Sequence, residues 1–266
     1  MNRIAADPSC HVISLRPAGQ HGGMRRAAAR HGWPLLALSP WRLQARADAD
    51  SRAALVAALD CDRVIVTSPA AVSAANALLP LRRAAPCSWM AVGEGTRRAL
   101  QRHGVQGVLT PQRMDSEGLL DLPPLQARAL AHRRVGLITA PEGRGRLQAA
   151  LQARGAQLVQ ADVYDRIPVR PSPQAVARLL RLAPPFWLAL SSGQALEQLL
   201  QALPAEACVH LLQAHVAAAS ARLAGLAVAT GFRGSVVTAA SALPKELMAA
   251  IAAASTGMVC STAPVR

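Results

Sequence analysis

Aromatic side chains are scarce in this chain. Phe, Tyr and Trp together make up 3% of 266 residues, and Tyr164 is the only tyrosine. Lysine is nearly absent too, Lys245 being the only one, so the basic residues are almost all arginine. Nucleic-acid binders usually gather basic residues into a stripe and stack bases on aromatic platforms. Here the arginines are scattered singly or in pairs, so nucleic acid is not an expected partner. The charge still has a sign: 29 Lys and Arg against 15 Asp and Glu give a formal net charge of +14. An Ala- and Arg-heavy codon bias accounts for part of it. The rest attracts polyanions such as a small polycarboxylate.

Other absences narrow the class. Five cysteines (Cys10, Cys61, Cys87, Cys208, Cys260) include no CxxC and match no zinc spacing. Their odd number in a chain of 27.8 kDa fits a reduced compartment without a disulfide framework. Seven histidines form no HExxH pair, so no metal site is expected. Residues 1–10 carry no apolar signal core, and no segment reads as a membrane span. The longest charge-free stretch, Leu247–Val265, dissolves into Ser, Thr, Gly and Pro in its second half. It reads as a helix over 242–254 and then a loose tail, 256–266. These features predict a cytoplasmic, membrane-free chain. With 52% hydrophobic and 17% charged residues it is globular, and its length suits about two domains.

Short apolar runs alternate with Ala-rich amphipathic stretches. Runs of four to six apolar residues without strict alternation predict strands buried on both faces. The candidates are Val12–Leu15, Leu35–Leu38, Val64–Val66, Trp89–Val92, Val108–Leu109, Val135–Ile138, Leu158–Val163, Trp187–Leu190, Val209–Leu212 and Ala227–Ala229. Helices are predicted around 20–31, 70–79, 94–103, 145–154, 173–182, 193–203, 215–223 and 242–254. Strand–helix–strand order implies parallel sheets and an α/β fold.

The chain also repeats itself. Residues 11–40 align without a gap on residues 134–163, each a strand, a Gly-containing turn, an Ala- and Arg-rich helix, a glycine (Gly32, Gly155) and a second strand. VIVTSPAAV at 64–72 resembles WLALSSGQAL at 187–196, each followed by a strand, a helix, a glycine (Gly104, Gly225) and a short strand. The order is A, B, A′, B′: two similar α/β domains. From the repeat alone, A could pack with B or with B′. Ser39–Arg42 and Tyr164–Pro168 leave the two A units at equivalent positions and read as extended crossing linkers.

Several turns could carry chemistry. Thr67-Ser68-Pro69 and Ser191-Ser192-Gly193 each end a buried strand and open a helix. Ligands of open α/β sheets gather at the carboxyl ends of strands, and the free N–H groups of a helix start bind anions. Capping of the helix is the alternative use of each hydroxyl. Val92-Gly93-Glu94-Gly95-Thr96 has a GxG but lacks the third glycine of a dinucleotide fingerprint, Arg98 standing there, so no nicotinamide site is expected. A carboxylate cradle at Gly95 and Thr96 is still possible. Gly143-Arg144-Gly145-Arg146 opens the helix of A′, where Arg146 could meet an anion or remain solvated. Arg16 ends the first strand of A. Tyr164, at the linker, could donate a hydrogen bond to a leaving oxygen or pack as a hinge residue. No triad, paired carboxylates or reactive cysteine stands out.

The ordered set VIVTSPAAV (64–72), AVGEGTRRAL (91–100), PQRMDSEGLL (111–120), GRGRLQAALQARGAQL (143–158), DVYDRIP (162–168) and LALSSGQALEQLL (188–200) resembles the uroporphyrinogen-III synthase family over roughly residues 11–255. The resemblance implies two similar parallel-sheet α/β domains joined by two extended linkers, with a cleft between them. One domain would hold residues 10–39 plus 168–255, and the other 42–164. It implies a cofactor-free enzyme that cyclises hydroxymethylbilane, a polycarboxylate linear tetrapyrrole, with loss of water and inversion of ring D. Tyr164 would help the hydroxyl leave. Thr67, Ser68, Gly95, Thr96, Arg146, Ser191, Ser192 and Gly193 would bind substrate, joined by Arg16, which the repeat places more than the family does; no metal and a monomeric enzyme are expected. One departure is expected: the second-repeat counterpart of the VGEGT turn is Leu212-Gln213-Ala214-His215, with His215 at a helix start. The competing reading is a non-catalytic two-lobed α/β protein that binds an anionic small molecule.

Overall fold

The structure, a computed structural model, describes residues 10–83, 88–113, 116–141 and 146–260. The strands are β1 (His11–Ser14), β2 (Leu35–Ala37), β3 (Trp41–Ala45), β4 (Arg63–Val66), β5 (Ser88–Ala91), β6 (Arg134–Thr139), β7 (Gln157–Asp162), β8 (Tyr164–Pro168), β9 (Phe186–Leu190), β10 (His215–Ala218) and β11 (Val236–Thr238). The helices are α1 (Gly22–Ala29), α2 (Ala49–Leu59), α3 (Pro69–Leu78), α4 (Glu94–Arg102), α5 (Ser116–Leu120), α6 (Ala127–Leu130), α7 (Arg146–Ala153), α8 (Pro173–Leu180), α9 (Gly193–Ala202), α10 (Ala205–Leu211), α11 (Ala221–Thr230) and α12 (Pro244–Cys260).

The chain forms two compact units, one from residues up to Arg42 together with those from Ile167 onward, the other from Leu43 to Arg166. The first contains a parallel sheet of order β11-β10-β9-β1-β2. The second contains a parallel sheet of order β5-β4-β6-β7, which a parallel bridge from Met90 to Leu109 extends past β5. The repeat is visible in these orders. β1 pairs with β9 as β6 pairs with β4, so A shares a sheet with B′, and A′ with B.

Each sheet is buried on both faces, as short unalternating apolar strands require. In the second unit Val64, Val66 and Ile138 face one core while Ile65, Val135 and Leu137 face the other. In the first, Ile13, Leu188 and Val216 face one core, and Val12, Trp187 and Ala217 the opposite one. Burial of each Val, Ile or Leu among them contributes about 1.5–3 kcal/mol before entropy is counted. Glycine is required at Gly136 on β6, where a Cβ would lie 2.1 Å from the carbonyl oxygen of Ala58 in α2.

The extended segments read as linkers pair with each other as β3 and β8. Arg46 N–H donates to the Val163 carbonyl at 3.0 Å, and Val169 N–H to the Pro40 carbonyl at 3.0 Å. Residue numbers fall on one strand as they rise on the other, so the pairing is antiparallel. Both crossings between the units lie within these two strands.

Four expectations fail in the second half. Val209–Leu212 is not a strand: Val209–Leu211 lie in α10, where Ala207 and Leu211, four apart, turn inward. The apolar run was long enough for a strand but also fits helical spacing, and Pro204 starts the helix. The real strand is β10, starting at His215 where a helix was expected. Ala227–Ala229 and Gly225 lie inside α11, which ends at Gly231 in the left-handed region at φ 93°. Finally, α12 runs to Cys260, so the tail expected from 256 is helical in its first residues, and Thr256 Oγ1 donates to the Ala252 carbonyl at 2.9 Å. That back-bond satisfies a hydroxyl within a helix. Residues 261–266 and Cys87 lie outside the described residues.

Candidate active site

In the second unit, side chains at the ends of three strands, β4, β6 and β8, meet at the carboxyl rim of the sheet. Ser68 follows β4 and caps α3, its Oγ accepting from the Ala71 N–H at 3.1 Å, with Pro69 at the first helical position. Beside it, Thr67 Oγ1 donates to Thr139 Oγ1 at 2.9 Å, joining the ends of β4 and β6. Thr139 is buried. Tyr164 opens β8 with its ring in the core that also holds Val66, Ala140 and Val163. It is only 4% exposed, and its hydroxyl lies 3.3 Å from Ser68 Oγ. The only tyrosine thus presents its phenol to a helix start, where partial positive charge favours a donor atom that gains negative charge.

The glycine turn comes alongside. Gly93 caps α4 without a side-chain bond, and its carbonyl accepts from the Thr96 N–H at 3.0 Å. Gly95 is adjacent to α3: a Cβ there would sit 3.6 Å from Pro69 Cγ. Thr96 is buried in the same turn. Glu94 bends back to Arg97 (2.7 and 2.8 Å) and Arg98 (2.7 Å), and these bonds hold its carboxyl down at about 2. Its negative charge is thereby matched within the helix. Arg146 is the first residue of α7. Its side chain, like the expected Gly143-Arg144-Gly145 turn, lies outside the described residues.

The rim of the first unit carries a parallel set. Ser191 and Ser192 follow β9, and Ser192 caps α9 by accepting from the Ala195 N–H at 3.3 Å. Gly193 is buried so closely that a Cβ would lie 2.8 Å from Leu226 Cδ2 and 3.9 Å from Arg222 Nη1. Arg16 lies beyond the end of β1 and donates to the Ala242 carbonyl at 2.8 Å. Burial draws its pKa below the ordinary arginine value.

Several rim residues escaped the sequence reading. The counterpart of the Gly93 turn is not Leu212–His215 but the β10–α11 junction, where Ser220 caps α11 by accepting from the Leu223 N–H at 3.4 Å. Arg222 follows in its first turn. His215 is on β10, accepting at Nδ1 from the Ser235 N–H at 2.9 Å and stacking on Trp187 at 4.9 Å. The misplaced strand hid Ser220; a cap residue before an Ala- and Leu-rich run was the available signal. His21 is buried between two hydroxyls, its Nδ1 3.0 Å from Ser14 Oγ and its Nε2 2.9 Å from Ser39 Oγ. No motif marks it.

Among the described residues no group of His, Cys, Asp and Glu is arranged to hold a metal, and no helix is long and apolar enough to cross a membrane. The chain matches the family model described as uroporphyrinogen-III synthase HemD over residues 24–245. Two solved structures share the fold. A mutant uroporphyrinogen III synthase from the extremely thermophilic bacterium Thermus thermophilus is 16% identical at a TM-score of 0.60, covering 94% of this chain and 99% of that one. The uroporphyrinogen-III synthetase of Helicobacter pylori is 15% identical at a TM-score of 0.56, covering 92% and 98%. With the family model spanning most of its length, the chain belongs to the uroporphyrinogen-III synthases, cofactor-free cyclising lyases of haem biosynthesis.

Proposed function

We propose that Tyr164 assists departure of the hydroxyl group from hydroxymethylbilane. The remaining rim groups take the carboxylates of this tetrapyrrole: Thr67, Ser68, Gly95, Thr96 and Arg146 in one unit, Arg16, Ser191, Ser192 and Gly193 in the other. The observation that carries this reading is the 3.3 Å separation between the Tyr164 hydroxyl and Ser68 Oγ at the N-terminus of α3. The phenol donates toward the leaving oxygen while the adjacent pyrrole nitrogen pushes its electron pair into the ring. As the C–O bond breaks the leaving hydroxyl takes the phenol's proton and departs as water, so an azafulvene cation and the Tyr164 phenolate remain. Ring D attacks that carbon through its own substituted carbon to give a spiro intermediate, which fragments and recloses with ring D turned over; the proton lost from the ring carbon at closure restores the phenol. The substrate supplies its own electrophile and nucleophile. The protein's part is orientation, which can lower a barrier by several kcal/mol without strong acids or bases. This agrees with the lack of a triad or carboxylate pair in the sequence.

The two compact units are read as the two substrate-holding domains, 10–39 with 168–255 and 42–164. The enzyme acts as a monomer in the cytoplasm and binds no nucleic acid.

The test is a product-isomer assay. Hydroxymethylbilane is generated in situ, the protein is added, the macrocycle is oxidised, and isomers I and III are separated by chromatography. Predominantly isomer III is expected from the wild type. Tyr164→Phe should form it about tenfold more slowly, the effect of losing one hydrogen bond made as the hydroxyl leaves. An unchanged rate in Tyr164→Phe removes the role given to the phenol. Only isomer I from a folded wild type would mean that the chemistry is absent and leave the anion-binding reading.

A further inference from the structure

Arg46 lies outside every motif of the sequence. It is nevertheless connected to Tyr164 from both sides. Its backbone N–H donates to the carbonyl of Val163 at 3.0 Å. Its guanidinium grips Asp165 with both prongs, Nε to Oδ2 at 3.0 Å and Nη2 to Oδ1 at 2.8 Å. The two bonded residues flank Tyr164 in sequence. Val163 is held a second time, its N–H donating to the Thr139 carbonyl at 3.0 Å, which ties the same point to the end of β6.

The residues on either side of Tyr164 are therefore both held, Val163 through its backbone and Asp165 through its carboxylate, which restricts where the phenol can point. The ion pair is half-buried, at 32% and 35% side-chain exposure, and a bidentate Arg–carboxylate fork fixes orientation as well as distance. Such a pair adds little to global stability. A displacement of the reacting group by an ångström nevertheless costs a large factor in rate.

We propose that Arg46 is a positioning residue for the ring-closing reaction: through its bidentate pair with Asp165 and its strand bond to Val163 it fixes the height and direction of the Tyr164 hydroxyl over Ser68. The proposal rests on the reading of Tyr164 as the group that assists hydroxyl departure.

The test is a double-mutant cycle in kcat and KM for isomer III, using Arg46→Ala, Arg46→Lys, Asp165→Asn and Tyr164→Phe, with thermal unfolding as a check on folding. Arg46→Ala and Asp165→Asn should each lower kcat about threefold to tenfold with KM little changed. Arg46→Lys, a point charge without the fork, should recover only part of the loss. In the Tyr164→Phe background Arg46→Ala should cost nothing further, because the hydroxyl it positions is gone. An equal loss from Arg46→Ala in both backgrounds would overturn the positioning role and leave Tyr164's intact. A Tyr164→Phe enzyme as fast as the wild type would overturn the reading of Tyr164, and the proposal with it. Wild-type kcat in Arg46→Ala would overturn the positioning role alone.

Discussion

Ser68 uses one oxygen for two partners: it caps α3 and meets the Tyr164 hydroxyl. At this scale, capping and ligand contact, which compete in the sequence, are compatible in the fold. His21 shows the reverse case, a residue that no motif announces but whose surroundings are specific. Burial and the positive charges of Arg25 and Arg16 push its pKa below 6.5. The unfolded chain takes up a proton near that value and the folded chain resists it. Stability is therefore fully present above pH 6.5 and should fall as the pH drops below it. In His21→Gln the unfolding temperature should depend less steeply on pH between neutrality and about pH 5. Calorimetry on both proteins checks this, and equal slopes would show that His21 is not the group responsible.

Among elements, α2 is the clearest case of a helix fixed by one residue on its neighbour. The sequence does not announce it, because Ala49–Leu59 lies in an Ala-rich stretch with no clear amphipathic stripe. Asp48 caps it, accepting from the Ser51 N–H at 2.7 Å, and α2 approaches β6 so closely that only Gly136 fits beneath Ala58. Gly136→Ala should force the helix off the sheet and cost about 3 kcal/mol, as overpacking of a tight contact does. Chemical denaturation measures it; a loss below about 1 kcal/mol would mean that α2 yields easily. The failures around Val209 and Ala227 are also element-scale. Ala-, Val- and Leu-rich runs satisfy the short-strand and the helix criteria together, and only packing against β9 selects His215–Ala218 as the strand.

For the whole molecule, the excess of arginine bears on the polyanionic substrate more than on the fold. Exposed charges are screened over about 8 Å at physiological ionic strength. KM for hydroxymethylbilane should therefore rise with added salt while kcat changes little, as steady-state assays at increasing salt concentration would record. A KM independent of salt would mean that hydrogen bonds alone hold the carboxylates. The α/β class, most of the strands, the helix starts at Ser68, Glu94 and Gly193, and the internal repeat are legible in the residues alone. Each is written in local signals: apolar runs, cap residues and helix-ending glycines. The repeat leaves the pairing of β1 with β9 and of β4 with β6 open, and there the family resemblance implied the grouping that the sheets display; the choice of β10 over Val209–Leu212 and the juxtaposition of Tyr164 with Ser68, 96 residues apart in the chain, emerge only from the fold. The reason is physical: parallel pairing joins segments whose sequences carry no mark of their partner. A side chain's neighbours across a sheet are set by packing, which periodicity does not encode.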